Sequence, residues 1–255
     1  MMRQVALVVL VVALMTSAAS AASSCGPDAV AAGPVCLDRY EATVWRVPNP
    51  TTTNASLVTK ITLGTATRAD LTAGGATRVI ARDECSRSGQ DCANDIYAVS
   101  LASELPSGLI TWFQAQEACA NAGKRLPTSA EWQVGANGTP DPGPDDRVKD
   151  CNSASGAVSI TGARSACVSA LGAFDMVGNL TEWVADWLPL SPTCTSWGGF
   201  SNDEMCLAGA SETNTTPGAV VRGGTFNDGS LAGPLSVGDV PPAQSSPVIG
   251  FRCAR

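Results

Sequence analysis

The chain has no histidine in its 255 residues. That absence removes a Ser-His-Asp triad, a Cys-His nucleophile pair, His-ligated zinc and a facial iron triad in one step. No two of its ten cysteines stand in a Cys-x-x-Cys pair, so the spacings that mark zinc ribbons and dithiol redox motifs are missing too. Basic residues number 16 against 23 acidic and form no cluster that could neutralise a row of phosphates, which argues against nucleic acid as a partner. Beyond the first fifteen residues no apolar run approaches the roughly 20 residues that span a bilayer. Aromatics make up only 5% of the chain.

What is present at the start is Arg3, an unbroken apolar run of 11 residues from Val5 to Met15, and a small-residue stretch containing Ala19-Ser20-Ala21. This is the pattern of a secretory signal peptide over 1–21, cleaved near Ala21. An alternative reads Ala22-Ser23-Ser24-Cys25 as a lipoprotein signal with Cys25 acylated, although the usual large aliphatic residue three places before the cysteine is absent. The remainder, 22–255, is long enough for one domain burying about 70% of its unfolded surface. Without Arg3 its net charge is near −8. The expected location is secreted, periplasmic or cell-surface, with no transmembrane span once the signal is removed.

All ten cysteines follow the cleavage site, and an even number in an exported chain reads as a disulfide framework. Local spacing suggests Cys25 with Cys36, Cys85 with Cys92, Cys151 with Cys167 and Cys194 with Cys206, with Cys119 and Cys253 left over. Joining that last pair would close about 135 residues, of order 4 to 5 kcal/mol in the chain-entropy account, against about 3 for a 15-residue loop.

From Thr51 to Gly75 the chain is rich in Thr, Ala and Gly and reads as a loop or weak strands. The run Thr111 to Gly123 is Ala-rich, puts Trp112, Ala115 and Cys119 on one face and ends at a glycine suited to a C-cap, which predicts a helix. Thr128 stands three residues before Glu131, a capping box opening a second short helix through Trp132 and Val134. Beyond Asn137 come turn signals, including Pro140 to Pro144, and short apolar runs with little helical period, which predict irregular loops and short strands. Asn-x-Ser/Thr sequons occur at Asn54, Asn137, Asn179 and Asn214 and carry no weight in a chain so rich in Ser and Thr.

Four stretches in order carry a resemblance. They are Cys36-Leu37-Asp38-Arg39-Tyr40-Glu41-Ala42-Thr43; Gly123-Lys124-Arg125-Leu126-Pro127-Thr128-Ser129-Ala130-Glu131-Trp132; Asp175-Met176-Val177-Gly178-Asn179-Leu180-Thr181-Glu182-Trp183; and Arg222-Gly223-Gly224 with Gly250-Phe251-Arg252-Cys253. Together they resemble the formylglycine-generating (sulfatase-modifying factor) family over nearly the whole mature chain. The resemblance implies an α+β fold, an irregular, loop-rich variant of the C-type lectin-like fold, with two main helices and short antiparallel strands, here stapled by disulfides. The family's long-range disulfide joins the cysteine of the first helix to that of the final block, which supports Cys119 with Cys253.

In these blocks Trp132, Trp183 and Phe251 are the expected core anchors. Arg125, Glu131, Glu182, Arg222 and Arg252 flank them, and buried charge must be paired, so a network of Arg-carboxylate pairs is their expected role ahead of direct ligand contact. The family's structural calcium implies hard oxygen ligands at Gly178 and Asn179, with Asp175 and Glu182 close by. The alternative places Asn179 in a turn and pairs Glu182 with an arginine.

The family's oxidases bind copper through two cysteines, five residues apart, after the Arg-Gly-Gly block. Here Asp228 and Gly233 stand at those places, and neither replaces a soft thiolate, so no copper and no oxidation chemistry are expected. The segment 225–249 is rich in Gly, Ser and Pro between two anchors and reads as a ligand-binding face comprising Phe226, Asn227, Asp228, Ser230, Leu231 and Asp239, or else as an ordinary surface loop. The expectation is a non-catalytic, exported module binding a protein or glycan ligand. The alternatives are an oxidase of the same family and a structural envelope or surface protein.

Overall fold

The computed structural model describes residues 25–141, 145–207 and 216–255. The expected signal peptide, the sequon at Asn214 and part of the Pro140 to Pro144 turn lie outside the described residues. No helix among the described residues is long and apolar enough to cross a membrane.

The closing residues of the chain lie against its first described hairpin. Strands β1 (Ala29–Ala32) and β2 (Val35–Asp38) form an antiparallel hairpin. The C-terminal residues lie along β2: Cys36 N donates to Arg255 O at 2.8 Å, Arg255 N to Cys36 O at 3.0 Å, and Asp38 N to Cys253 O at 2.8 Å. Strand β3 (Ala42–Arg46) is the centre of a three-stranded sheet between β4 (Thr77–Arg78) and β5 (Ile96–Ser100). Both faces of β5 are buried, as its unbroken Ile-Tyr-Ala-Val run requires.

Five helices are described rather than two. The stretch expected to be loop or weak strand contains α1 (Ala55–Thr62) and α2 (Arg68–Ala73). They bury Leu57 and Ile61, and Leu71, against the larger of the hydrophobic clusters. A Thr67–Asp70 capping box opens α2 and supplies the start signal that its Thr- and Ala-rich composition obscures. A single-turn α3 (Ala81–Glu84) follows.

The helix expected from Thr111 is α4 (Trp112–Asn121), with a Thr111–Gln114 capping box at its start and Gly123 left-handed (φ 68°) just past its end. The second is α5 (Ser129–Gly135), opened by the Thr128–Glu131 box as expected.

The C-terminal half builds a six-stranded sheet in the order β11-β6-β9-β10-β8-β7. Its members are β6 (Thr181–Pro189), β7 (Thr195–Ser196), β8 (Glu204–Met205), β9 (Pro217–Arg222), β10 (Val237–Val240) and β11 (Ile249–Phe251). Two pairings, β6 with β11 and β8 with β10, are parallel, where the expectation was antiparallel strands. Trp132, Trp183 and Phe251 are all fully buried, as expected of anchors.

All five disulfides pair as the spacing and the resemblance suggested. The Cys25–Cys36 bond corrects the lipoprotein alternative: a sulfur bonded to Cys36 is not available for an acyl thioether. The Cys119–Cys253 bond spans 134 residues and fixes α4 to the closing block. Replacing both of these cysteines by Ala is expected to lower the unfolding free energy by about 5 kcal/mol, against about 2.4 for removal of Cys85–Cys92, as read by denaturant titration. Equal losses for the two would remove loop length as the cause.

Candidate functional site

A buried guanidinium organises the centre. Arg252 is completely buried, and an unpaired charge there would be prohibitive. Its Nε lies 3.0 and 2.7 Å from the two carboxylate oxygens of Glu182 and its Nη2 lies 2.7 Å from Oε1. Its remaining donors reach Asp38 O at 3.0 Å and Phe174 O at 2.9 Å. Glu182 Oε2 also accepts the indole N–H of Trp132 at 2.8 Å. One ion pair therefore touches all four sequence blocks.

Two further carboxyls face it. Glu41 accepts from Leu180 N at 3.0 Å and, in a short contact, from the Asn179 amide. Burial, then the charges of Asp175 and Glu182, hold Glu41 well above the usual carboxylate range. Burial likewise pushes Asp175 up to about 6, although it accepts Gly162 N at 2.7 Å. Asp175 and Asn179 both take left-handed backbone (φ 56°), a conformation that short Asx side chains tolerate.

A second buried pair, not foreseen from the sequence, sits beside the first. Lys124 Nζ is 2.6 Å from Asp28 and 2.5 Å from Asp38, with all three side chains buried. The signal was available, since Lys124 and Asp38 lie inside the family blocks, but no spacing rule links them.

Arg125 pairs with Glu131 through two 2.7 Å contacts, as expected of the network. Arg222 departs from it. Among the described residues no carboxylate bonds it; it donates to Ser129 Oγ at 3.3 Å, Pro234 O at 3.1 Å and Gln133 Oε1, and stacks 4.8 Å above the Trp132 ring. Burial lowers its pKa to about 10, and its Nε has no hydrogen-bond partner among the described residues.

The oxygens expected around calcium are arranged otherwise. Glu182 is spent on Arg252 and Trp132, which is the ion-pair alternative. Asn179 Oδ1 accepts from Asn152 at 2.9 Å and Ser159 N at 2.8 Å, and Gly178 packs its Cα against the Asn152 carbonyl. Two of the four expected residues, Asn179 and Glu182, thus have their side-chain oxygens engaged by protein donors.

The Arg222-Gly223-Gly224 strand end turns sharply into the loop. Both glycines are left-handed, and a Cβ would lie 2.9 Å from Met176 O at Gly223 and 2.6 Å from Ala232 Cα at Gly224, so no other residue fits. The loop then folds into a short turn: Thr225 N donates to Asp228 Oδ2 at 2.7 Å and Leu231 N to Asp228 O at 3.0 Å. Phe226 N donates to Asn179 O at 3.0 Å and Gly229 N to Ser153 O at 2.8 Å, which pins the turn to the core.

Asn227, Ser230 and Leu231 are exposed on it, with Phe226 and Asp228 half-buried. Asp239 is not part of that group. It lies on β10 opposite Val220, accepts Ser191 N, and is pushed upward chiefly by burial. At Gly233 a Cβ would meet Asp203 Oδ1 at 2.1 Å, so a neighbouring carboxylate takes the space of any side chain there. Nothing in the sequence signals Asp203.

A family profile described as "Sulfatase-modifying factor enzyme 1-like domain" matches residues 30–255. The serine/threonine-protein kinase Pkn1 of Chlamydia trachomatis serovar L2 is 36% identical over 84 residues, 31% of this chain and 13% of the kinase. Among solved structures, the Major Tropism Determinant U1 variant is similar at TM-score 0.46 and 20% identity, over 86% of this chain and 50% of that one. CarF is similar at 0.43 and 17%, over 87% and 85%. PvdO from Pseudomonas aeruginosa is similar at 0.41 and 18%, over 87% and 80%. The chain thus spans about an eighth of the kinase and half of the Tropism Determinant chain.

Because Asp175 and Glu41 hold their protons more tightly folded than unfolded, their contribution is present below the unfolded carboxylate range and is lost as pH rises toward 6 and above. Urea titrations from pH 4 to 7 are expected to show that decline, and Asp175→Asn should flatten it; an unchanged slope in the variant would rule out Asp175 as a source. Added calcium should leave the melting temperature within about 1 °C, since ligand-linked stabilisation requires a site in the native state. A rise of several degrees would reveal a site built from other oxygens.

Proposed function

The chain belongs to the sulfatase-modifying factor enzyme 1-like domain family, and from that premise we propose a non-catalytic, exported interaction module that binds its ligand through the turn 225–231. The observation that carries this reading is the state of the cysteines. All ten are in disulfides, while Asp228 and Gly233 stand where the resemblance places the oxidase thiols. Asp228 caps its own turn, and Gly233 is overlain by Asp203. Neither supplies a soft ligand or a nucleophile for oxygen chemistry.

Rigidity beneath an exposed tip supports binding. The turn is held from below by backbone bonds to Asn179 and Ser153, so its exposed side chains are ordered before a ligand arrives and binding costs less conformational entropy. Five disulfides suit an oxidising compartment, which supports export. Calcium and copper have no assigned step in this reading.

Thiol counting by mass spectrometry on the mature protein, alkylated with and without reduction, is expected to find no free cysteine; two reproducibly free thiols would favour the oxidase. Alanine at Asn227, Ser230 and Leu231 together is expected to keep the melting temperature within a few degrees while weakening a ligand found by screening about tenfold or more. Unchanged affinity would move the contact surface elsewhere.

A further inference from the structure

A cavity of about 180 Å³ lies at the end of β4, where residues 78–80, 105–109, 158 and 247 converge. It shares no lining residue with the turn 225–231. Its walls are fixed by hydrogen bonds between segments distant in sequence. Val79 N donates to Val44 O at 3.1 Å, Val44 N to Ser107 Oγ at 2.9 Å, and Leu109 N to Ser246 O at 2.8 Å. Gly108 sits so close to Pro247 that a Cβ would lie 2.7 Å from its carbonyl oxygen. Leu109, one of the lining residues, takes left-handed backbone (φ 56°), which is uncommon for a residue of its kind, and such strain gathers where a binding surface is shaped. The cavity is therefore formed before any ligand enters it.

Of the lining residues only Arg78 is ionisable. Ile80 is 45% exposed and Leu105 39%, and they share the cavity with Leu109, Val158 and Pro247. Nη2 of Arg78 makes a long contact of 3.4 Å to Pro106 O, and among the described residues Arg78 has no ion pair. The charges that act on its guanidinium are those of Glu104 and Arg68, and these two pair with each other. On the neighbouring elements Arg46 meets Glu84 and Asp95, and Arg82 meets Asp83. Arg78 is the cation left over, and burial already lowers its pKa.

An unpaired cation against an apolar wall favours a ligand in which one negative charge is joined to an apolar body. The planar guanidinium fork matches a carboxylate, whereas a phosphate dianion would bring a second charge that no other lining residue neutralises. At roughly 30 Å³ per water-sized group, the space holds about six such groups, enough for a carboxylate and a short hydrocarbon chain.

We propose that this cavity binds a small free monocarboxylate with an apolar chain of about four to six carbons, held by Arg78 at the carboxylate and by Ile80, Leu105 and Leu109 along the chain. The site stands whether or not the turn 225–231 binds a ligand of its own.

The test titrates the mature protein with hexanoate, hexanol, acetate and inorganic phosphate, by calorimetry and ligand-detected NMR. Hexanoate is expected to bind saturably and about tenfold more tightly than hexanol, which lacks the charge, or acetate, which lacks the chain. Arg78→Gln should weaken hexanoate about tenfold and leave hexanol unchanged, while Leu105→Ser should weaken both about threefold. Arg82→Gln, which removes the same charge from α3, should change neither. Arg78 and Leu105 are both exposed, so their variants should keep the wild-type melting temperature.

Hexanoate binding that survives Arg78→Gln, phosphate binding tighter than hexanoate, or no saturable hexanoate binding overturns the proposal. A short peptide ending in leucine that outcompetes hexanoate, while its C-terminal amide does not, overturns the free acid and assigns the cavity to a chain terminus.

Discussion

The Glu182–Arg252 pair is the constraint on which the rest of the fold depends. Taking both charges out of water costs several kcal/mol per ion, and the cost is recovered only when geometry and secondary hydrogen bonds are good. Here they are: the carboxylate meets two guanidinium nitrogens and the Trp132 indole, and the guanidinium also meets carbonyls of Asp38 and Phe174. The pair is a weak source of net stability but a strict specifier. Any misplacement of β2, α5, β6 or the closing segment would leave a buried charge without its partner.

Around that pair the fold is closed in layers. Backbone pairing between residues 36 and 255 joins the ends, and Cys119–Cys253 ties α4 to the same place. Lys124 adds a second buried charge between Asp28 and Asp38, so the hairpin β1–β2 is gripped on one side by an ammonium and on the other by a guanidinium. With the frame held so heavily, the long irregular stretches between strands need little secondary structure of their own. The loop after Arg222 is anchored at its base and free at its tip, which is how irregular segments come to carry recognition.

Much of this was legible in the sequence, and the reasons it was or was not are physical. The capping box at Thr128 and the apolar spacing of Trp112, Ala115 and Cys119 are local signals, and both helices form where they point. The disulfides were readable because four of the five close short loops. By contrast, α1 and α2 were hidden by Thr- and Ala-rich composition, since their stability comes from burying Leu57, Ile61 and Leu71 against residues distant in sequence. The capping pair Thr67–Asp70 was the overlooked clue. Pairing partners were the least legible: Glu182 meeting Arg252 was one of two open readings, Arg222 settles on a ring and an amide, and Asp203 has no motif at all. Asp239 shares a loop with Asn227 in sequence but is carried off by β10 to Ser191 in space. Proximity along a loop is a poor guide once a strand intervenes.

The antiparallel contact of Cys36 with Arg255, together with the Cys25–Cys36 bond, brings the two described extremities of the polypeptide to one edge. A neighbouring domain or tether fused to either extremity would depart from the same point, so the body would hang from a single pivot.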